Sequence, residues 1–100
     1  MKVVNLRKEK YTHYIGRGSI FGNPYKIGKD GTREEVIHKY EQWTRSYMYN
    51  IISNLGGFSD LGRAIYDLPE DAILGCYCKP KACHGDIIIK IWKELHEKSK

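Results

Sequence analysis

The residues with chemical capacity fall in two short segments. One, Cys76-Tyr77-Cys78-Lys79-Pro80-Lys81-Ala82-Cys83-His84-Gly85-Asp86, gathers three thiols, an imidazole and a carboxylate. The other, Gly16-Arg17-Gly18-Ser19 followed by Gly22-Asn23-Pro24, sets a guanidinium, a hydroxyl and an amide among glycines. The first segment supports three chemistries. Thiolate and imidazole are the usual zinc ligands, so Cys76, Cys78, Cys83 and His84 form one candidate set, with His13 or His38 as a distant ligand. The spacing weighs against it: Cys-x-Cys on a strand places side chains about 7 Å apart, and structural zinc sites draw ligand pairs from two separated segments. A reactive thiol is the second reading, with Cys83 next to His84 at the start of a helix, although no third group is evident to orient the pair. The third, preferred here, is ligand binding. His84 and Gly85 would present a ring and backbone N–H groups to a phosphate, Cys83 would lie alongside, and Asp86 would hold a sugar hydroxyl or orient an arginine. The plain structural alternative is that Asp86 caps a helix, Gly85 serves a turn and the cysteines pack.

In the glycine segment, Arg17 supplies a permanently charged fork suited to phosphate, and Gly18, Ser19, Asn23 and Pro24 supply backbone freedom, hydrogen bonds and a tight turn. The spacing is neither that of a P-loop nor that of the dinucleotide-binding glycine fingerprint. Tyr11, Tyr14, Phe21, Tyr25 and Tyr77 offer faces on which a base could stack.

The elements that must carry these segments can be read from periodicity. Residues 2–6 and 11–15 are β-prone runs, and Tyr25-Lys26-Ile27 is a short extended piece. Thr32 and Glu35 form a capping box, after which Val36, Ile37, Tyr40, Trp43, Tyr47, Ile51, Ile52 and Leu55 recur at helical spacing. One helix over 33–54 is predicted, closed at Gly56-Gly57. Ser59 caps a shorter helix stopped by Pro69, and residues 72–78 form an apolar run expected as a buried parallel strand. Ile87, Ile88, Ile91, Trp92 and Leu95 mark a last helix beginning near 84–86. The expected architecture is α/β, a small mixed sheet with a parallel central pair covered by two or three helices. In open sheets of this kind ligands bind beyond the carboxyl ends of the strands, where both segments fall.

A chain of 100 residues holds one core, so a single domain over 1–100 is expected. With 41% apolar and 29% charged residues, it lies outside the composition of disordered chains. No run suffices to span a bilayer and no secretory leader opens the chain, which makes a cytoplasmic location the expectation. An odd cysteine count there argues for reduced thiols. The net charge of +5 favours phosphate-bearing partners, while lysines at both ends also serve solubility.

Gly16-Arg17-Gly18-Ser19, Gly22-Asn23-Pro24, the stretch Asp30-Gly31-Thr32-Arg33-Glu34-Glu35-Val36-Ile37 and the segment from Cys76 to Asp86 together resemble a bacterial and phage family, domain of unknown function 4326. The resemblance runs from about Tyr14 to Leu95 and implies a phage or mobile-element context, in which a small protein that sequesters a host nucleotide signal, an anti-defence role, is a natural expectation.

The function expected is therefore the binding of a small phosphorylated ligand, a nucleotide or ADP-ribose derivative, at Arg17, Gly18, Ser19, Asn23, Pro24, Cys83, His84, Gly85 and Asp86. No cofactor is expected, with zinc as the alternative. A second copy of the chain is a further partner to consider, and a membrane is not. An enzyme cleaving or transferring a nucleoside or phosphate group at the same pocket is the first alternative, with His84, Asp86 or Cys83 as participants. A zinc-stabilised nucleic-acid-binding module is the second.

Overall fold

The computed structural model describes residues 1–55, 60–79 and 81–98. Its elements in chain order are β1 (Lys2–Asn5), β2 (His13–Tyr14), α1 (Arg33–Leu55), α2 (Asp60–Tyr66), β3 (Ile73–Cys76) and α3 (Gly85–Lys98). The sheet order is β1-β3-β2, with β3 between its neighbours as expected of the apolar run that supplies it. Both pairings are parallel: Val3 lies opposite Leu74 and Val4 opposite Gly75, while His13 and Tyr14 meet the same two residues from the other side. The α/β class and the parallel pair hold, and β2 is parallel as well. All three strands thus point their carboxyl ends to one edge of the sheet. Among the described residues no helix is long and apolar enough to cross a membrane.

Parallel strands of one sheet usually need a long crossover, yet β1 and β2, on either side of β3, are joined by residues 6–12 alone. The connection passes directly over the sheet at Gly75, where an added Cβ would stand 2.6 Å from the Tyr11 ring. Glycine in the middle of this strand is required by close approach rather than by conformation. Thr12 then docks onto β3, its N–H donating to the Ile73 carbonyl at 2.8 Å while its hydroxyl accepts from the Ile73 N–H at 2.9 Å. β2 is two residues long where the run 11–15 was expected, and Tyr25-Lys26-Ile27 forms no strand.

The capping box forms as read: Thr32 Oγ1 accepts from the Glu35 N–H at 3.2 Å and Glu35 Oε1 from the Thr32 N–H at 3.0 Å. These bonds to Thr32 hold the Glu35 carboxyl below its usual range. The face that α1 buries runs Val36, Tyr40, Thr44, whereas Trp43, expected in the stripe, is 36% exposed. The core joins Tyr40 of α1, Leu61 and Ile65 of α2, Leu74 and Cys76 of β3 and Ile88 and Ile91 of α3. Trp92 adds a bond from its indole N–H to the Leu68 carbonyl at 2.8 Å, tying α3 to the turn after α2. The Gly56-Gly57 stop and the Ser59 cap fall outside the described residues.

Candidate functional site

Where β2 and β3 end, the chain turns into two loops that face the amino-terminal ends of α1 and α3. Between them lies a cleft of about 360 Å³ whose lining includes Tyr14, Arg17, Asn23, Tyr25, Arg33 and His84. Gly16, Ile27, Val36, Ile37 and the segment's Cys76, Tyr77, Cys78, Ala82 and Cys83 complete the wall. The size suits a small molecule. The lining holds two guanidinium groups and, among the described residues, no carboxylate.

The glycine loop is fastened from below. Ser19 Oγ donates to the Gly16 carbonyl at 2.6 Å, and Gly18 turns the chain with φ of +89°, so both serve the turn and neither lines the cleft. Asn23 lines it but spends its amide on architecture, Nδ2 donating to the Val36 carbonyl at 3.1 Å and Oδ1 accepting from the Tyr25 N–H at 2.9 Å. Tyr40 donates its hydroxyl to the Phe21 carbonyl at 2.9 Å from within the core. Burial pushes this phenol far above its ordinary range, so it is a permanent donor. Pro24 is exposed and outside the lining. What the loop leaves available is Arg17, exposed and in no ion pair among the described residues.

The opposite wall is more internal. His84 is 8% exposed; its Nε2 meets the Ile15 carbonyl at 2.6 Å, and because a carbonyl only accepts, that nitrogen carries the proton. The edge of the ring meets Tyr40, with centroids 5.0 Å apart. Burial pushes its pKa below the ordinary value, against weaker opposing effects of the Ile15 bond and of Asp86, so the ring is neutral near pH 7. Cys83 and Cys76 sit sulfur to sulfur at 3.2 Å as free thiols. Cys83 caps α3, its sulfur accepting from the Gly85 N–H at 3.2 Å. Burial, followed by the neighbouring Cys76, pushes its pKa up to about 12, which makes it a poor nucleophile. Among the described residues no three His, Cys, Asp or Glu side chains are grouped to hold a metal ion. His84 Nε2 and Cys83 Sγ, two of the four zinc candidates, are engaged with the backbone instead.

Gly85 and Asp86 lie away from the cleft. An added Cβ on Gly85 would stand 2.8 Å from Ile15 Cδ1 and from Val3 Cγ2, so this glycine lets α3 start against the sheet. Asp86 is exposed, ion-paired with Lys79 at 3.1 Å and reaching back towards the Cys83 N–H at 3.5 Å.

Of the nine expected site residues, Arg17, Asn23, Cys83 and His84 line the cleft; Gly18, Ser19, Pro24, Gly85 and Asp86 do not. The residue that sequence reasoning left out is Arg33. It opens α1 and donates from Nη1 to the Ala82 carbonyl at 3.1 Å, tying the helix to the cysteine wall, and takes part in no ion pair among the described residues. A signal for it existed, because a cation in a first helical turn opposes the helix dipole and calls for another duty.

Residues 2–94 match the model of the family described as Domain of unknown function (DUF4326). The chain belongs to this family. One relative is the uncharacterized 12.4 kDa protein in the nrdA-td intergenic region of Enterobacteria phage T4, 37% identical over 95 residues that cover 94% of this chain and 79% of the relative. No solved structure matches. Every residue lining the cleft falls inside the stretch matched by the DUF4326 model.

Proposed function

We propose that the cleft binds a small phosphorylated ligand of the nucleotide type, a nucleotide or an ADP-ribose derivative, and holds it without turning it over. The observation that carries this reading is the pairing of Arg17 and Arg33 on a lining without a carboxylate among the described residues. Two guanidinium forks at a concave, partly desolvated surface favour a phosphate group and penalise a cation. Tyr14, Tyr25 and Tyr77 give a base or sugar faces to rest on. Binding without turnover is supported by the engagement of the reactive groups: His84 is hydrogen-bonded to Ile15, Cys83 is a high-pKa cap and Asp86 is paired with Lys79 outside the cleft. The phage origin of the T4 relative supports a narrower version in which the ligand is a host nucleotide signal kept out of circulation.

A thermal-shift and calorimetric screen of nucleotides, dinucleotides and ADP-ribose tests the reading. A ligand at 100 times its dissociation constant stabilises the native state by about 2.7 kcal/mol. Removing either arginine deletes a charged hydrogen bond of about 1.5–3 kcal/mol, so Arg17→Ala and Arg33→Ala should each weaken binding at least about tenfold. Absence of a shift with every compound, or a shift that Arg17→Ala leaves unchanged, overturns it. Mass spectrometry of the recovered ligand should find it intact; an altered ligand would favour the enzyme alternative at the same cleft.

A further inference from the structure

A second basic surface adjoins the cleft, and the parallel sheet is the reason. Because the three strands end at one edge, the loop after β1 emerges beside the loop after β3 and on the same edge as the loop after β2. That loop bounds an open depression of about 500 Å³ with Arg7, Lys8, Lys10 and Tyr11 on its walls and Glu9 as its one acid among the described residues. Arg7, Lys8 and Lys10 take part in no ion pair among the described residues. The two hollows share a partition: Tyr77, which lines the cleft, carries the Arg7 guanidinium over its ring at 5.1 Å. This ring is 55% exposed, leaving apolar surface beside a fixed cation.

The loop holding Arg7 is attached at several points. Asn5 Nδ2 donates to the Lys79 carbonyl at 2.8 Å, Asn5 Oδ1 accepts from the Arg7 N–H at 2.9 Å, and the Leu6 N–H donates to the Cys76 carbonyl at 3.0 Å. Two inter-strand spacings put the end of β1 roughly 10 Å from the end of β2. Strand ends at that separation suit two successive residues of a nucleotide chain. An exposed aromatic that lines a cleft with two arginines and touches a cationic loop is the kind of surface that binds single strands, in which bases stack on rings while lysines and arginines follow the backbone.

Resting on the nucleotide reading of the cleft, we propose that the ligand is the end of a single-stranded nucleic acid, its terminal nucleotide in the cleft between Arg17 and Arg33, the next base against Tyr77 and the following phosphate on the Arg7-Lys8-Lys10 loop.

The test is calorimetry with random-sequence tetradeoxynucleotides, tetraribonucleotides, a blunt DNA duplex and each nucleoside 5′-monophosphate, using the full chain and two variants. The expected result is that one of the tetranucleotides binds at least tenfold tighter than any monophosphate, the DNA and RNA arms identifying the sugar preferred. Arg7→Ala/Lys8→Ala should abolish that gain, leave monophosphate affinity unchanged and reduce the log–log salt slope by roughly 0.7 for each phosphate that is no longer neutralised. Arg17→Ala should weaken tetranucleotide and monophosphate alike. Both sites are exposed, and thermal unfolding checks that the variants fold. The proposal is overturned by tetranucleotides that bind no tighter than monophosphates, by a gain that survives Arg7→Ala/Lys8→Ala, or by a duplex that binds as well as the single strands. Monophosphate binding lost in Arg17→Ala, with no tetranucleotide gain, would retain the cleft reading and remove only the extension; no binding by any probe would remove both.

Discussion

The two walls of the cleft divide their work in opposite ways. On the wall from Cys76 to Asp86 the chemically conspicuous groups face inward or pair locally: Cys83 is 2% exposed and His84 8%. On the glycine loop the supporting groups are backbone and amide, and the charged side chain, Arg17, is exposed. Reactivity by residue type is therefore a poor guide to which side chains are left available in the cleft. A thiol or imidazole that satisfies a backbone carbonyl or caps a helix is already committed, whereas a guanidinium without a counter-charge is available.

The contrast breaks first at Gly85. A methyl there meets Ile15 Cδ1 and Val3 Cγ2 at 2.8 Å, and both side chains must shift, Ile15 from a fully buried position. Gly85→Ala should cost about 1–3 kcal/mol or prevent α3 from seating. Urea denaturation measures it, and an unchanged midpoint would mean that the cysteine wall is not held by this contact. Tyr40→Phe comes next. It removes the bond to the Phe21 carbonyl that holds the glycine loop onto α1, and leaving that acceptor unpaired should cost about 1–2 kcal/mol. The same variant should weaken ligand binding through the loop it loosens.

A pH series sharpens the comparison with a smaller effect. His84 is held neutral by burial, its pKa below the ordinary value of 6.5. Below that pH the unfolded chain takes up a proton that the native state refuses. Stability attributable to His84 is therefore fully present above about 6.5 and declines as pH falls towards the folded value. The urea midpoint of the native chain should drop between pH 7.5 and 5.5, and His84→Gln, which keeps a donor for the Ile15 carbonyl, should flatten that slope. A slope identical in both proteins would show that the imidazole is not the group responsible.

The extent to which this was legible follows from the range of the interactions. The capping box and apolar period of α1, the buried run of β3 and the start of α3 are local patterns, and each forms close to where periodicity puts it. The cleft itself follows from a rule about parallel sheets rather than from any motif. Illegible were the features that depend on what lies across space. Thr44 takes the buried place that the apolar period assigns to Trp43, with Thr44 fully buried and Trp43 36% exposed. Gly75 has the look of an ordinary strand position because nothing local records that Tyr11 crosses it. Gly85 and Asp86 have the types of a ligand site and the positions of a packing contact and an ion pair. Arg33 is hidden by its place in a capping sequence, where Thr32 and Glu35 explain the segment without it.

The smallest effect on stability should come from the residue with the largest expected effect on binding. Arg17 is exposed and in no ion pair among the described residues. Replacing such a side chain usually changes stability by less than about 0.5 kcal/mol. Arg17→Ala should therefore unfold at nearly the native urea midpoint at every pH, in contrast to Gly85→Ala, while losing affinity in the nucleotide screen. A midpoint that rises in the variant would mean that Arg17 is opposed in the free protein by the positive charge of its surroundings. A midpoint lowered by the equivalent of more than about 1 kcal/mol would mean that Arg17 is part of the support, and the two walls would then differ in exposure alone.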